Sequence, residues 1–401
     1  MNISIDKKIN TMIFSSMLIT AGMAQAADID IGVVLDGAYQ SDNRHWGSRD
    51  KGFGLGHSEL MLSSNIDHNF KGQLVAVLDS HGSKTELELE EAWIETMSLP
   101  FGLKLKAGRL LSNVGYLNSK HMHEDAFVER PAVYRALLGG HYFDDGVQMT
   151  WLLPTDFYLQ ASIEALGGKP LDAGYDKPAT VGVYTANLQV GADIGLEHSW
   201  RWGISSLYNG NGRQFSGAHD HSHDHSHDHS HDHSHDHDHD HDHAGHSHGP
   251  SLTGRNLYGT DFTWKWAPEG NYRQRNVRAT TEFWYLDNRF DAQMTTAPGA
   301  KQSAHGWYAE VAYQFSPIWT VSTRYGEMRT VSGDVHAHDD HFHGEFSRDD
   351  LKEWDLALDW HASHFGRVRG QITRENHTQG DQTLFSLQYV MSFGAHHAHA
   401  F

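Results

Sequence analysis

The chain has no cysteine. No disulfide framework and no thiolate-held zinc or iron–sulfur site is therefore available, and any metal must be held by imidazole and carboxylate. Positive charge is scarce: 31 Lys and Arg stand against 51 Asp and Glu, a formal charge of −20 with histidine neutral, which argues against a nucleic-acid partner. Long hydrophobic runs are missing too. No stretch beyond the N-terminus approaches the ~18 consecutive apolar residues of a membrane helix, and the mean hydropathy is −0.57. Those absences leave open a membrane protein whose strands are apolar only at alternate positions. What is abundant suits that reading: 39 Gly, 11% aromatic residues and 34 His among 401 residues, a balance of many short strands and not of a helical core.

Residues 1–26 have the form of a cleaved export signal, with Lys7 and Lys8 before the mostly apolar stretch Met12 to Ala21 and an Ala24-Gln25-Ala26 cleavage site. The mature chain, 27–401, then alternates with a period of two. Val277, Ala279, Thr281, Phe283 and Tyr285 share one face and Arg278, Thr280 and Glu282 the other, as a strand between lipid and water requires. The same pattern predicts strands at 29–39, 57–67, 71–80, 84–95, 101–110, 145–153, 156–164, 179–194, 199–208, 257–266, 274–286, 305–315, 318–326, 351–361, 364–374 and 383–394. This is an all-β chain, a 16-stranded antiparallel transmembrane β-barrel with long external loops. Links after even-numbered strands are short and links after odd-numbered ones mostly long, the asymmetry of periplasmic turns and external loops. The phase slips at Glu90-Glu91, which predicts a β-bulge.

The inward face follows from the same phase. Its acids include Glu59, Glu90, Glu282, Glu310, Glu353, Asp355 and Asp359, and its bases Arg278, Arg324, Arg367 and Arg369. Acids exceed bases, and charges are cheap only where water reaches them, so the expectation is an open pore with a modest preference for cations. The competing reading is a lattice of ion pairs that narrows the barrel.

In the third external loop, 111–144, the runs Ala107-Gly108-Arg109, Gly115-Tyr116-Leu117, Phe127-Val128-Glu129-Arg130-Pro131 and Asp145-Gly146-Val147 resemble the corresponding region of the phosphate-selective porin O/P superfamily. The likeness implies a channel, often trimeric, in which this loop folds inward as a constriction lined by Glu129, Arg130 and Arg135. Alternatively, Glu129 and Arg130 pair within the loop and merely order it. The acidic excess of the lumen departs from the family's basic pore, so anion preference does not carry over.

The fifth external loop, 217–250, holds a low-complexity run. His219, His221, His223, His225, His227, His229, His231, His233, His235, His237, His239, His241, His243, His246 and His248 alternate mostly with Asp and Ser, and the run has eight Asp and no Lys or Arg. Such a segment cannot bury a core and is expected to be disordered without a ligand. Imidazole and carboxylate together suit Zn2+, Ni2+ or Cu2+, loosely held in many registers, with zinc the choice because porin-like proteins with His-rich loops resemble parts of zinc-acquisition systems. Acid should weaken such binding, because protons compete for the same lone pairs. Smaller clusters lie at His336, His338, His341 and His343, and at His121 and His123 with Glu124, Asp125 and His141, which suggests a metal relay from loop five to loop three.

The sequence therefore points to a non-enzymatic outer-membrane channel in contact with lipid and divalent metal ions. The alternative is a closed barrel serving as a surface metal buffer or adhesin. A TonB-dependent receptor would need a plug before the barrel, and alternation begins already at Ile29. No Ser–His pair stands out for an enzyme. The terminal Phe401, ending an amphipathic strand, resembles the signal read by the barrel-assembly machinery.

Overall fold

A computed structural model describes residues 29–81, 84–171, 180–211, 255–287, 303–338, 341–363, 365–378 and 380–394. Residues 1–26, expected to be an export signal, the His/Asp run 219–248 and Phe401 lie outside them. The strands are β1 (Asp30–Gln40), β2 (Gly52–Leu55), β3 (Ser58–Asn65), β4 (Phe70–His81), β5 (Lys84–Thr96), β6 (Leu103–Leu111), β7 (Phe143–Leu152), β8 (Tyr158–Leu166), β9 (Val183–Ile194), β10 (His198–Asn209), β11 (Asn256–Trp266), β12 (Asn276–Asp287), β13 (Ala304–Ser316), β14 (Trp319–His338), β15 (His341–Ser363), β16 (Gly366–His377) and β17 (Gly380–Gly394). Each pairs antiparallel with its neighbour, and β1 pairs with β17, which closes the sheet. Both β2 and β3 pair with β1. They are one stave interrupted at Gly56-His57, where the register slips by a residue, so the barrel has the expected sixteen staves. Closure leaves no edge strand to hydrogen-bond in lipid.

The barrel is inside-out, as the alternation requires. Along β15, Asp355 and Asp359 are 0% and 3% exposed while their neighbours Leu356 and Leu358 are 37% and 45% exposed. Outward Trp151, Trp202, Trp307, Trp354 and Trp360 supply aromatic residues of the kind that settle at membrane interfaces.

Two departures from the predicted strands have physical causes. First, β14 and β15 run on to His338 and His341 and stay paired as far as these residues, with His336 opposite His343 and His338 opposite His341. The segment expected as a long seventh loop is thus a ladder. Outside lipid a ladder needs backbone hydrogen bonds and no apolar alternation, so the pattern that located the other strands is silent there. Second, the inward face is not polar throughout. Leu166, Val183, Leu207, Leu257, Leu286, Met328 and Leu351 turn inward near the long-loop end, where they form one apolar cluster with the segment between β6 and β7.

Candidate functional site

That segment, loop three, folds into the barrel. It carries the helix α1 (Ala132–Leu138), all seven residues of which are buried. Pro131 precedes the helix, and Gly139 ends it in the left-handed region at φ 63°, where a Cβ would be strained. Val114, Tyr116, Leu117, Val133, Tyr134, Leu137 and Leu138 pack into the apolar cluster. Burial of each such side chain is worth roughly 1.5–3 kcal/mol. Gly115 is required where it stands: its φ is +75°, and a Cβ there would lie 2.4 Å from both Trp284 and the Tyr134 hydroxyl.

Polar groups of the wall then suture the loop. The Gly115 amide donates to Ser205 Oγ at 3.0 Å and the Asn113 amide to Glu164 at 2.7 Å. Glu282 on β12 accepts from the Tyr116 amide and from the hydroxyls of Tyr134 and Tyr308. Burial and the adjacent Glu282 push the Tyr134 phenol well above its ordinary range, so it remains a donor. On the far wall Gln371 accepts from the Val128 amide at 2.9 Å and Glu353 from the Ala132 amide at 2.7 Å, at the start of α1. Arg324, Arg367 and Arg369 donate to the carbonyls of Glu129, His123 and Asp125 at 2.9, 2.9 and 2.8 Å.

Under these contacts lies an ion-pair lattice. Glu353 and Glu375 face each other across β15 and β16, a pairing that like charges disfavour. Two guanidinium groups from loops resolve it. Arg44, in the connection after β1, bonds Glu353 and Asp355 at 2.9 Å each and Glu375 at 3.0 Å, and Arg135 of α1 bonds Glu353 at 2.8 Å and Glu375 at 3.3 Å. Arg324 pairs with Asp355 at 2.7 Å, Arg369 with Asp359 at 2.7 Å and Arg278 with Glu310 at 4.0 Å. The sequence-chosen lumen residues are therefore gathered here. Glu282, Arg324, Glu353, Asp355 and Arg369 are buried, and Glu282, Arg324, Glu353, Arg367 and Arg369 bond loop three directly, which favours the lattice over separately solvated charges on this wall. Arg130 pairs at 3.0 Å with Asp125 and not with Glu129, and it also donates to the Gly140 carbonyl. It orders the loop from within.

The opposite wall is different in kind. The predicted bulge in β5 is present: Val75 pairs with Glu91 and Ala76 with Leu89, leaving Glu90 without a ladder partner. The bulge turns Glu90 and Glu91 both inward, where they are 2% and 5% exposed. The break between β2 and β3 likewise aims His57 inward, next to Glu59. Loop three brings His121, His123 and His141 to the same place. The resulting spacings are His57 Nε2 to Glu90 3.3 Å, His121 Nδ1 to Glu59 3.3 Å and to Glu90 3.5 Å, His123 Nδ1 to Glu59 2.8 Å, and His141 Nε2 to Glu90 3.0 Å. Burial alone would lower the His121 imidazole, but Glu59 and Glu90 raise it, to about 10.

Sequence reasoning had His121, His123 and His141 together. It missed His57, Glu59 and Glu90 as their partners, because these come from strands far away in the chain. The phase slip at Glu90 was the available signal. Arg44 was missed because it falls in a connection, where alternation carries no information, and Glu375 because the predicted strand stopped at 374 whereas β16 runs on to His377. His336, His338, His341 and His343 lie on the β14–β15 ladder, and the His/Asp run lies outside the described residues.

No protein-family description matches the chain. It is 27% identical over 380 residues to an uncharacterized protein of Aquifex aeolicus, covering 88% of this chain and 70% of that one. The solved structures it is similar to include the trimer form of OmpT, an outer membrane protein of Vibrio cholerae, with a TM-score of 0.52, 11% identity and coverage of 92% and 100%. They also include the outer membrane channel DcaP of Acinetobacter baumannii, with a TM-score of 0.52, 10% identity and coverage of 94% and 100%. The fold is that of an outer-membrane porin barrel. OprB of Pseudomonas putida is similar as well, with a TM-score of 0.52, 11% identity and coverage of 91% and 94%.

Proposed function

We propose that this porin-like barrel is an outer-membrane diffusion channel whose inward-folded loop three sets the width of the passage, and that it collects a divalent metal ion, zinc ahead of nickel or copper, at the His/Asp run 219–248. The observation that carries the channel reading is the charged interior: a barrel acting only at its surface has no use for a wall of Arg and carboxylate facing a loop folded into its lumen. The similarity to DcaP, an outer membrane channel, supports it. The resemblance to the phosphate-selective porin O/P superfamily gains support from the place of its motifs, since Ala107-Gly108-Arg109 lies in the second half of β6, Phe127 to Pro131 lies in the inward loop and Gly146-Val147 lies in the first half of β7. Arg–carboxylate pairing cancels much of each partner's field, so selectivity is weak with cations ahead. The trimer form of OmpT supports a homotrimer for this chain; after removal of residues 1–26, the barrel-assembly machinery would read the C-terminal strand and Phe401.

Planar-bilayer recording of the purified protein, with and without zinc, tests this reading. Stepwise conductance with a reversal potential slightly favouring cations is the expected result. Absence of conductance leaves the closed-barrel metal buffer, and strong anion preference overturns the selectivity. Deleting 219–248, which contains no described strand, is expected to remove most of the bound zinc and leave the barrel intact. Equal zinc stoichiometry in both proteins would reduce the run to a spacer.

A further inference from the structure

We propose that His57, Glu59, Glu90, His121 and His141 form a binding site for a divalent transition-metal ion inside the barrel, and that the ion staples loop three, on both sides of α1, to the β2–β5 wall. This goes beyond the channel reading and stands without the His/Asp run.

The geometry makes two overlapping ligand sets. In one, His57, Glu90 and His141 hold their ligand atoms within 4.8 Å of one another; in the other, Glu59, Glu90 and His121 do so. Glu90 is common to both and gives one oxygen to each, Oε1 facing His57 and His141 and Oε2 facing His121, so one ion or a carboxylate-bridged pair can be held. Zinc bonds His nitrogen and carboxylate oxygen at about 2.0–2.2 Å, which sets tetrahedral neighbours about 3.3 Å apart. The contacts between neighbouring ligand atoms, from 3.0 to 3.5 Å, are those of a coordination sphere.

The second observation concerns hydrogen bonds. Glu59 Oε2, Glu90 Oε2, His121 Nδ1 and both ring nitrogens of His141 are buried and have no hydrogen-bond partner, although they approach other polar atoms closely. Ion pairs of protonated imidazole and carboxylate would point their N–H groups at oxygen. These atoms instead converge on shared space, and a cation placed there satisfies several at once, removing the cost of leaving buried polar atoms unpaired. His123, whose Nδ1 hydrogen-bonds Glu59 Oε1 at 2.8 Å, orients that carboxylate as an outer partner.

The elements supplying the ligands explain the staple. Glu90 sits on a β-bulge and His57 at a break between strands, irregularities that re-aim a side chain where a site needs it. His121 precedes α1 in loop three and His141 follows it, just before β7. Mixed nitrogen and oxygen donors without sulfur suit Zn2+, Ni2+ or Cu2+ and disfavour Ca2+ and Mg2+, which take oxygen ligands.

Hydrogen exchange of the full-length protein, followed peptide by peptide with zinc chloride or EDTA, separates this site from the histidine run. Zinc is expected to slow exchange at least tenfold in peptides covering 117–125 and 139–143, while magnesium does nothing. The E90Q and H121A/H141A variants are expected to lose that slowing and to retain any zinc response within 217–250. Zinc binding confined to 217–250, with no slowing in loop three of the wild-type protein, overturns this site and spares the loop-five reading; the reverse outcome overturns loop-five capture and supports this site. Cobalt(II) provides a readout that does not depend on variants folding. Visible d–d bands of four- or five-coordinate cobalt at one or two equivalents of high affinity, in protein from which residues 217–250 have been clipped by protease after folding, support the site. Only the weak bands of six-coordinate aqueous cobalt in that clipped protein overturn it.

Discussion

Loop three is held between two walls of opposite chemistry. On the β14–β16 side Glu353, Asp355, Asp359 and Glu375 each meet a guanidinium or a backbone amide at 2.7–3.3 Å, and the buried atoms of these strands left without a hydrogen bond, Ser322 Oγ and Arg367 Nε, are not carboxylate oxygens. On the β2–β5 side imidazoles and carboxylates gather just as closely, yet several of their atoms find no hydrogen bond. Arginine is always charged and cannot act as a ligand, so a lattice built on it needs nothing from solution. Histidine can take a proton or a metal. One wall is permanent and the other answers to what the solution contains, and the loop that narrows the lumen is fixed to both.

The largest expected effect breaks the permanent wall. Glu353→Ala removes the shared partner of Arg44, Arg135 and the Ala132 amide, leaving two buried guanidinium groups with less compensation than they need. Breaking a buried network in this way costs about 3–5 kcal/mol. Urea unfolding of the protein in lipid vesicles is expected to show a loss of that size, and single-channel records should become noisier as α1 loosens. An unchanged unfolding midpoint would mean that the lattice does not fix the loop.

The next test addresses the responsive wall. A ligand that binds only the folded state stabilises it by about 2.7 kcal/mol at a hundred times its dissociation constant. Zinc at that excess is expected to raise wild-type stability by this amount. Glu90→Gln should lose the increment, whereas Glu353→Ala, weakened as it is, should keep it. If both variants respond alike, the two walls do not differ in the way described.

How legible these walls were in the sequence differs as well. The alternation of Arg278, Thr280 and Glu282 against Ala279, Thr281 and Phe283 was enough to fix the inside and outside of the barrel, because a strand between lipid and water has one possible phase. It assigned Glu282, Glu310, Arg324, Glu353 and Arg369 to the interior correctly. It could not say that loop three would cover them. That depends on Leu257, Leu286, Met328 and Leu351 turning inward near the rim, and an inward Leu in an alternating strand reads like one more change of phase. The histidine cluster was half legible: His121 and His141 stand out on a short loop, while His57 and Glu90 join them only through two irregularities of the ladder and the closure of the barrel. The run at 219–248 is the reverse case, conspicuous in composition and outside the described residues.

A smaller effect sharpens the role of the loop between the walls. Gly115 has a backbone conformation that L-residues rarely adopt, with Trp284, Tyr134 and Glu282 all within 2.8 Å of where a Cβ would lie. Gly115→Ala is expected to cost about 1–3 kcal/mol and to shift the loop from the apolar cluster, read as faster hydrogen exchange at residues 112–118 with the barrel strands unaffected. Protection unchanged in that peptide would show that the loop has room the packing does not indicate.

The smallest effect supplies the control for the permanent wall. Arg374 and Asp381 pair across β16 and β17 at 2.9 Å, the same distance as Arg44 and Asp355, but with side chains 46% and 51% exposed. Their attraction is screened by solvent and salt, and ordering two exposed side chains offsets much of it, so such pairs contribute about 0–1 kcal/mol. Arg374→Ala is therefore expected to move the urea midpoint by less than about 1 kcal/mol, and by less still when salt is raised, whereas the loss in Glu353→Ala should persist in salt because the Debye length does not reach into a buried network. If the two substitutions cost the same, burial is not what separates the lattice from ordinary surface charge, and the contrast between the walls would have to rest on the histidine cluster alone.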